Sequence, residues 1–137
     1  MQSIQVETTI NSSIEKVWNY WTLPEIITKW NQESTSWNCP KVEKDFVVGG
    51  RIIFTMAAKD GTTAHNFQGC YTKIVPHESI EFTTEDRQHV LVKFQKLDDL
   101  TTRIVKVIES DDIQSLEQQK IGWQALLDGF KSYTEAN

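Results

Sequence analysis

The chain has 137 residues, 39% hydrophobic and 24% charged, with a formal net charge of −5, the size and balance of one globular domain. Neither sign of charge forms a block, which argues against a nucleic-acid groove with its clustered Lys and Arg. No apolar run approaches the roughly 20 residues of a membrane span. Met1-Gln2-Ser3-Ile4-Gln5 lacks the basic and apolar regions of a signal peptide, so a cytoplasmic location is the default. Cys39 and Cys70 are the only cysteines, and in such a chain they are expected to be reduced thiols.

Residues 4–10 alternate, with Ile4, Val6, Thr8 and Ile10 on one side and Gln5, Glu7 and Thr9 on the other, the period of a half-buried strand. Ile14, Val17, Trp18 and Trp21 then recur at helical spacing. Ser12 and Glu15 stand three apart at the start of that helix, as a capping box requires. Thr22-Leu23-Pro24-Glu25 opens a second short helix carrying Ile26, Ile27 and Trp30, with Pro24 in a first turn where its missing N–H costs little. From Trp37 to about Gly49 the pattern is irregular and includes Pro40, which predicts a loop leading into a short strand.

Gly49-Gly50 opens a clear strand with Ile52, Phe54 and Met56 on one face. Asp60-Gly61 is a two-residue hairpin signal, and the next strand carries Phe67, Gly69 and Tyr71 on one row. Turns at Pro76-His77-Glu78, Glu85-Asp86-Arg87 and Asp98-Asp99 separate three further strands, marked by Ile80 and Phe82, by Val90, Val92 and Phe94, and by Ile104 to Ile108. Successive strands joined by short turns imply an antiparallel meander. Asp111 and Asp112 suit a helix N-terminus, and Leu116, Lys120, Trp123, Leu127 and Phe130 follow helical spacing from about Ile113 to about Tyr133. The expectation is an α+β domain spanning 1–137, with six or seven antiparallel strands. The sheet has one apolar face, and only the terminal helix is long enough to cover it.

With these residues the order resembles the SRPBCC, START-like or birch-pollen-allergen-like superfamily and its helix-grip fold. Within it the chain is similar to the branch named for activators of heat-shock protein 90 ATPase, in a small bacterial single-domain form. The resemblance is carried by Val17-Trp18-Asn19-Tyr20-Trp21-Thr22-Leu23-Pro24-Glu25, Gly49-Gly50-Arg51-Ile52, Asp60-Gly61, Phe67-Gln68-Gly69-Cys70-Tyr71 and Gly122-Trp123-Gln124-Ala125-Leu126-Leu127. It implies a pocket between sheet and terminal helix, but no activity, because the superfamily spans binders, transfer proteins, cyclases and hydroxylase subunits. Where members of this branch often carry Glu or Thr, this chain has Lys106. If Ile104, Lys106 and Ile108 form the inner row, Lys106 points into the pocket and favours an anionic head group. If Val105 and Val107 face inward, Lys106 is a solvated edge charge.

Four of the five tryptophans fall between residues 18 and 37. Trp18, Trp21, Trp30, Phe54, Met56, Phe67, Tyr71, Phe82, Phe94, Trp123, Leu127 and Phe130 all lie on rows or stripes assigned inward. Singly each reads as core; together with Lys106 they form the candidate ligand-binding set, since pockets are commonly apolar clefts with few polar groups. The glycines lack the Gly-x-x-x-x-Gly-Lys of a phosphate loop, so Gly69 reads as a bulge or close backbone approach. His65, His77 and His89 are far apart and lack metal-ligand spacing, so neither metal nor cofactor is expected. Glu7 and Glu81 alternate outward, and no catalytic set can be assigned.

The favoured function is non-catalytic binding of a small hydrophobic or amphipathic molecule. The alternative is an enzyme of cyclase or hydrolase type using the same pocket. A chaperone partnership, implied by the branch name alone, ranks last, because the chain lacks the additional N-terminal domain of the eukaryotic activators. A sheet edge could support a homodimer, though no feature demands one.

Overall fold

The computed structural model describes residues 2–30, 37–58, 60–85, 87–110 and 113–137. The order is β1 (Gln2–Ile10), α1 (Ile14–Thr22), α2 (Pro24–Trp30), β2 (Trp37–Lys44), β3 (Arg51–Ala58), β4 (Ala64–Val75), β5 (Ser79–Thr84), β6 (His89–Asp98), β7 (Thr101–Ser110) and α3 (Ile113–Ala136). The seven strands form one curled antiparallel sheet in the order β1-β7-β6-β5-β4-β3-β2. Strands β2 to β7 are the expected meander, and β1 closes against β7. Helices α1 and α2 therefore connect the two opposite edges of the sheet, across one end of the trough that α3 covers. No helix among the described residues is long and apolar enough to cross a membrane.

Alternation sets the inner face. Ile4, Val6 and Ile10 of β1 are buried, as are Ile104, Lys106 and Ile108 of β7 and Val90, Val92 and Phe94 of β6. The register aligns them in rungs: Val6 with Lys106 and Lys106 with Val92, Ile4 with Ile108 and Ile108 with Val90. Lys106 thus sits mid-rung on the buried face, which decides the alternative that a strand apolar on both rows leaves open.

Two local expectations are corrected. The cap of α1 is Ser13, whose Oγ accepts from the Lys16 N–H at 3.3 Å. Ser12 is instead buried, and its carbonyl accepts from Thr102 Oγ1 at 2.9 Å, so the cap lies one residue later than expected, with Lys16 where a capping box needs Glu or Gln. The stretch from Trp37, expected to be a loop leading into a short strand, instead begins with the edge strand β2 (Trp37–Lys44). Its register shifts between Asn38 and Lys41, around Pro40; a missing N–H is tolerated at an edge irregularity.

At the other edge, α3 shields β1. Gln124 Nε2 donates to the Glu7 carbonyl at 3.1 Å and Lys131 Nζ to the Thr9 carbonyl at 2.6 Å. The Asn11 N–H donates to Glu135 Oε2 at 2.8 Å. These bonds occupy edge groups that another strand would otherwise seek. Asp111, Asp112 and the side chain of Leu116, used above to place the start of α3, lie outside the described residues.

Candidate functional site

Between the curled sheet and the helices lies a cavity of about 70 Å³. Trp21 and Thr22 at the end of α1, Ile27 and Trp30 of α2, and Trp123 and Leu126 of α3 form its helical side. The sheet side comprises Lys44, Ile52, Phe54, Met56, Tyr71, Ile80, Phe82, Val92 and Lys106. This volume holds a few waters or a small ligand; drug-sized pockets run to roughly 300–1,000 Å³. Larger guests would require α3 or the α1–α2 corner to move.

The sharp α1–α2 corner sets the helical side. Thr22 Oγ1 donates to the Trp18 carbonyl at 2.8 Å, turning its hydroxyl back onto its own helix. Pro24 then starts α2 in a new direction, which brings Trp30 back onto Trp21. The two rings stack at 4.9 Å and 28°, and Trp30 Nε1 donates to the Tyr20 carbonyl at 2.8 Å. Phe130 of α3 presents its ring at steep angles to both, 4.9 Å from Trp21 and 4.8 Å from Trp30.

On the sheet, Gly69 lets β4 approach its neighbours. A Cβ there would stand 3.0 Å from the Thr83 carbonyl oxygen and 3.2 Å from Phe82 Cδ2, the close approach expected of this glycine. The β4–β5 register shifts between Tyr71 and Lys73, just beyond the Tyr71–Phe82 pair. The Tyr71 and Phe82 rings lie 6.3 Å apart at 77°.

The polar groups of the wall are few. Lys106 is 4% exposed, with Nζ 3.8 Å from the Trp123 ring centre and 5.9 Å from that of Trp21. Lys44 pairs with Ile52 across β2 and β3 and rests its ammonium 4.1 Å from the Phe46 ring. Burial lowers the Lys44 pKa to about 8, against the opposing pull of Glu25. Burial also pushes the Tyr71 phenol above its ordinary range, so it stays protonated. Trp123 Nε1 is buried and has no hydrogen-bond partner among the described residues.

Trp21, Trp30, Phe54, Met56, Tyr71, Phe82, Lys106 and Trp123 therefore reach the cavity, as the inward rows imply. Trp18, Phe94, Leu127 and Phe130 do not. Trp18 packs among Phe94 at 5.1 Å, His77 at 5.6 Å and Phe46 at 6.0 Å, and Leu127 and Phe130 are 0% exposed. They are core behind the wall, because the curled sheet meets the helices directly at those levels. The side chain of Phe67 lies outside the described residues; its backbone pairs with Phe54. Lys44 was missed, although its spacing from Val42 on an alternating stretch was a usable signal.

The outward expectations for the carboxylates fit their surroundings. Glu7 is exposed and paired with Arg103, and Glu81 lies 3.3 Å from His89. Among the described residues, no three His, Cys, Asp or Glu side chains gather as metal ligands. Cys39 is buried and Cys70 exposed, and no disulfide joins them.

The family described as Activator of Hsp90 ATPase homolog 1-like protein matches residues 11–135 of the chain. A solution structure of an AHSA1-like protein from Aeromonas hydrophila is 35% identical with a TM-score of 0.91, covering 98% of this chain and 93% of that one. A protein from Cytophaga hutchinsonii is 42% identical with a TM-score of 0.82, over 98% and 93%. One from Chromobacterium violaceum is 25% identical with a TM-score of 0.84, over 98% and 99%. No curated protein is significantly similar to the chain.

Proposed function

Since the chain belongs to the Activator of Hsp90 ATPase homolog 1-like family, whose SRPBCC-type fold commonly encloses hydrophobic ligands, we propose that it binds a small hydrophobic or amphipathic molecule between sheet and α3. The observation that carries this reading is the composition of the wall. Aromatic and aliphatic side chains surround the space, and among the described residues Lys44, Lys106 and Tyr71 are its ionisable members. Such a wall orients a guest by a few polar contacts and holds it by apolar burial. At about 25 cal/mol per Å² of apolar surface removed from water, even a modest guest gains several kcal/mol before the costs of association.

No catalysis is assigned. An acid–base mechanism needs two groups placed to exchange a proton with the substrate near working pH, and among the described wall residues there is neither carboxylate nor histidine. The proposed setting is the cytoplasm. A chaperone partnership has the family description as its sole support, and the expected result is an unchanged ATPase rate when this protein is added to a purified chaperone.

Native mass spectrometry of freshly purified protein tests the binding reading. The expected spectrum includes an adduct that is lost on denaturation and identified as a small apolar or amphipathic compound. A bare apo mass, together with no rise in melting temperature across a library of apolar compounds, would overturn it.

A further inference from the structure

The polar atoms on the cavity wall are unequal in kind. Lys44 Nζ, Lys106 Nζ and Trp123 Nε1 can donate hydrogen bonds and cannot accept them. Of these, Trp123 Nε1 is buried and meets no acceptor among the described residues. A buried N–H left so carries an uncompensated desolvation cost, which an acceptor brought in by a guest would offset. Of the two wall hydroxyls among the described residues, Thr22 Oγ1 is already turned to the Trp18 carbonyl, leaving the protonated Tyr71 hydroxyl. No carboxylate of the described residues lines the space, although the chain as a whole carries a net charge of −5.

The placement of these donors is also informative. Lys106 rises from the middle of a rung between Val6 and Val92, and its ammonium lies against the face of Trp123, the residue that holds the unsatisfied N–H. Lys44 enters from β2, at the opposite side of the sheet. Both positive charges act across a low-dielectric space, where an anion is attracted more strongly than in water. Burial already weakens the Lys44 proton, with Glu25 pulling the other way, so a second negative charge nearby would restore it. Beyond these groups the wall is predominantly aromatic and aliphatic.

We infer that the cavity selects small molecules ending in a single carboxylate, whose oxygens meet Trp123 Nε1–H and the Lys106 ammonium while Lys44 supplies a second positive charge. The apolar body then lies against Trp21, Phe54, Met56 and Phe82. This inference rests on the binding reading above and adds the ligand's charge to it.

Calorimetric titration at pH 7 with octanoate, 4-phenylbutyrate and the neutral octanamide tests it, each being larger than the closed cavity and entering as α3 or the α1–α2 corner moves. The expected result is a carboxylate bound at least about tenfold more tightly than octanamide, with Lys106→Met reducing that preference to about threefold or less. Lys44→Met should reduce it in part, and serves if the first variant does not fold. Which acid binds better distinguishes an aliphatic from an aryl body. Octanamide binding as tightly as both acids, or a preference unchanged in the folded variants, overturns the inference and leaves the binding reading standing. No heat and no change in melting temperature with all three compounds overturns both.

Discussion

Lys106 Nζ lies 3.8 Å from the centre of the Trp123 ring, joining the inner face of β7 to the covering helix α3. A desolvated cation over an indole face is worth about 1–2 kcal/mol, so this contact both places the charge and helps dock the helix. In a double-mutant cycle of Lys106→Met and Trp123→Leu, followed by urea denaturation, a favourable coupling of about 1 kcal/mol is expected. A coupling within error of zero would mean that the two side chains merely share the cavity wall.

Lys44 provides a pH test with a definite sign. Its folded pKa is about 8, lowered by burial from 10.5. Between those values the unfolded chain binds more protons, so this group's contribution to stability rises with pH. Below pH 8 the folded protein carries the full cost of a partly buried ammonium. Lys44→Met is therefore expected to stabilise the protein at pH 7 by about 1–2 kcal/mol, allowing for screening by solvent. The advantage should shrink toward zero as pH climbs from 8 past 10. An advantage that stays constant over that range in denaturation curves would contradict the assignment.

Two glycines should respond oppositely to the same substitution. In α3 a Cβ on Gly122 meets nothing within 4 Å, and Gly122→Ala is expected to stabilise by about 0.5–1 kcal/mol through helix entropy. Gly69→Ala drives a Cβ toward the Thr83 carbonyl and the Phe82 ring, at an expected cost of about 1–3 kcal/mol. Thermal denaturation of both variants checks the pair, and a stabilised Gly69→Ala would show that β4 and β5 are not closely held.

Phe130 braces the Trp21–Trp30 stack from α3 and is fully buried. Phe130→Ala should cost about 3–5 kcal/mol and alter tryptophan emission, since both indoles lose a neighbour. Phe130→Leu should cost less than half as much. A Phe130→Ala loss below about 1 kcal/mol would place the support of this corner elsewhere.

Much of this fold is legible along the chain. Alternation at Ile4, Val6 and Ile10, the stripe of Ile14, Val17, Trp18 and Trp21, and the break at Pro24 are local signals, and each element they imply is present. Reading failed at Ser12 and over residues 37–44. The cap lies one residue later, at Ser13, and over the second stretch pairing with β3 outweighed local propensity. Lys44 was lost with that strand.

By itself, then, the sequence determined the order of elements and the side chains that turn inward, because the periods of strand and helix are properties of the local backbone. Tertiary structure alone decided which of those side chains face open space. Trp18 and Trp21 lie a turn apart on one helix, yet the first packs against Phe94, His77 and Phe46 while the second reaches the cavity. Lys106, on a strand apolar on both rows, took the inner one through its pairing with Val6 and Val92. The curl of the sheet and the seat of α3 set those distances, and both arise from contacts among residues far apart in the chain.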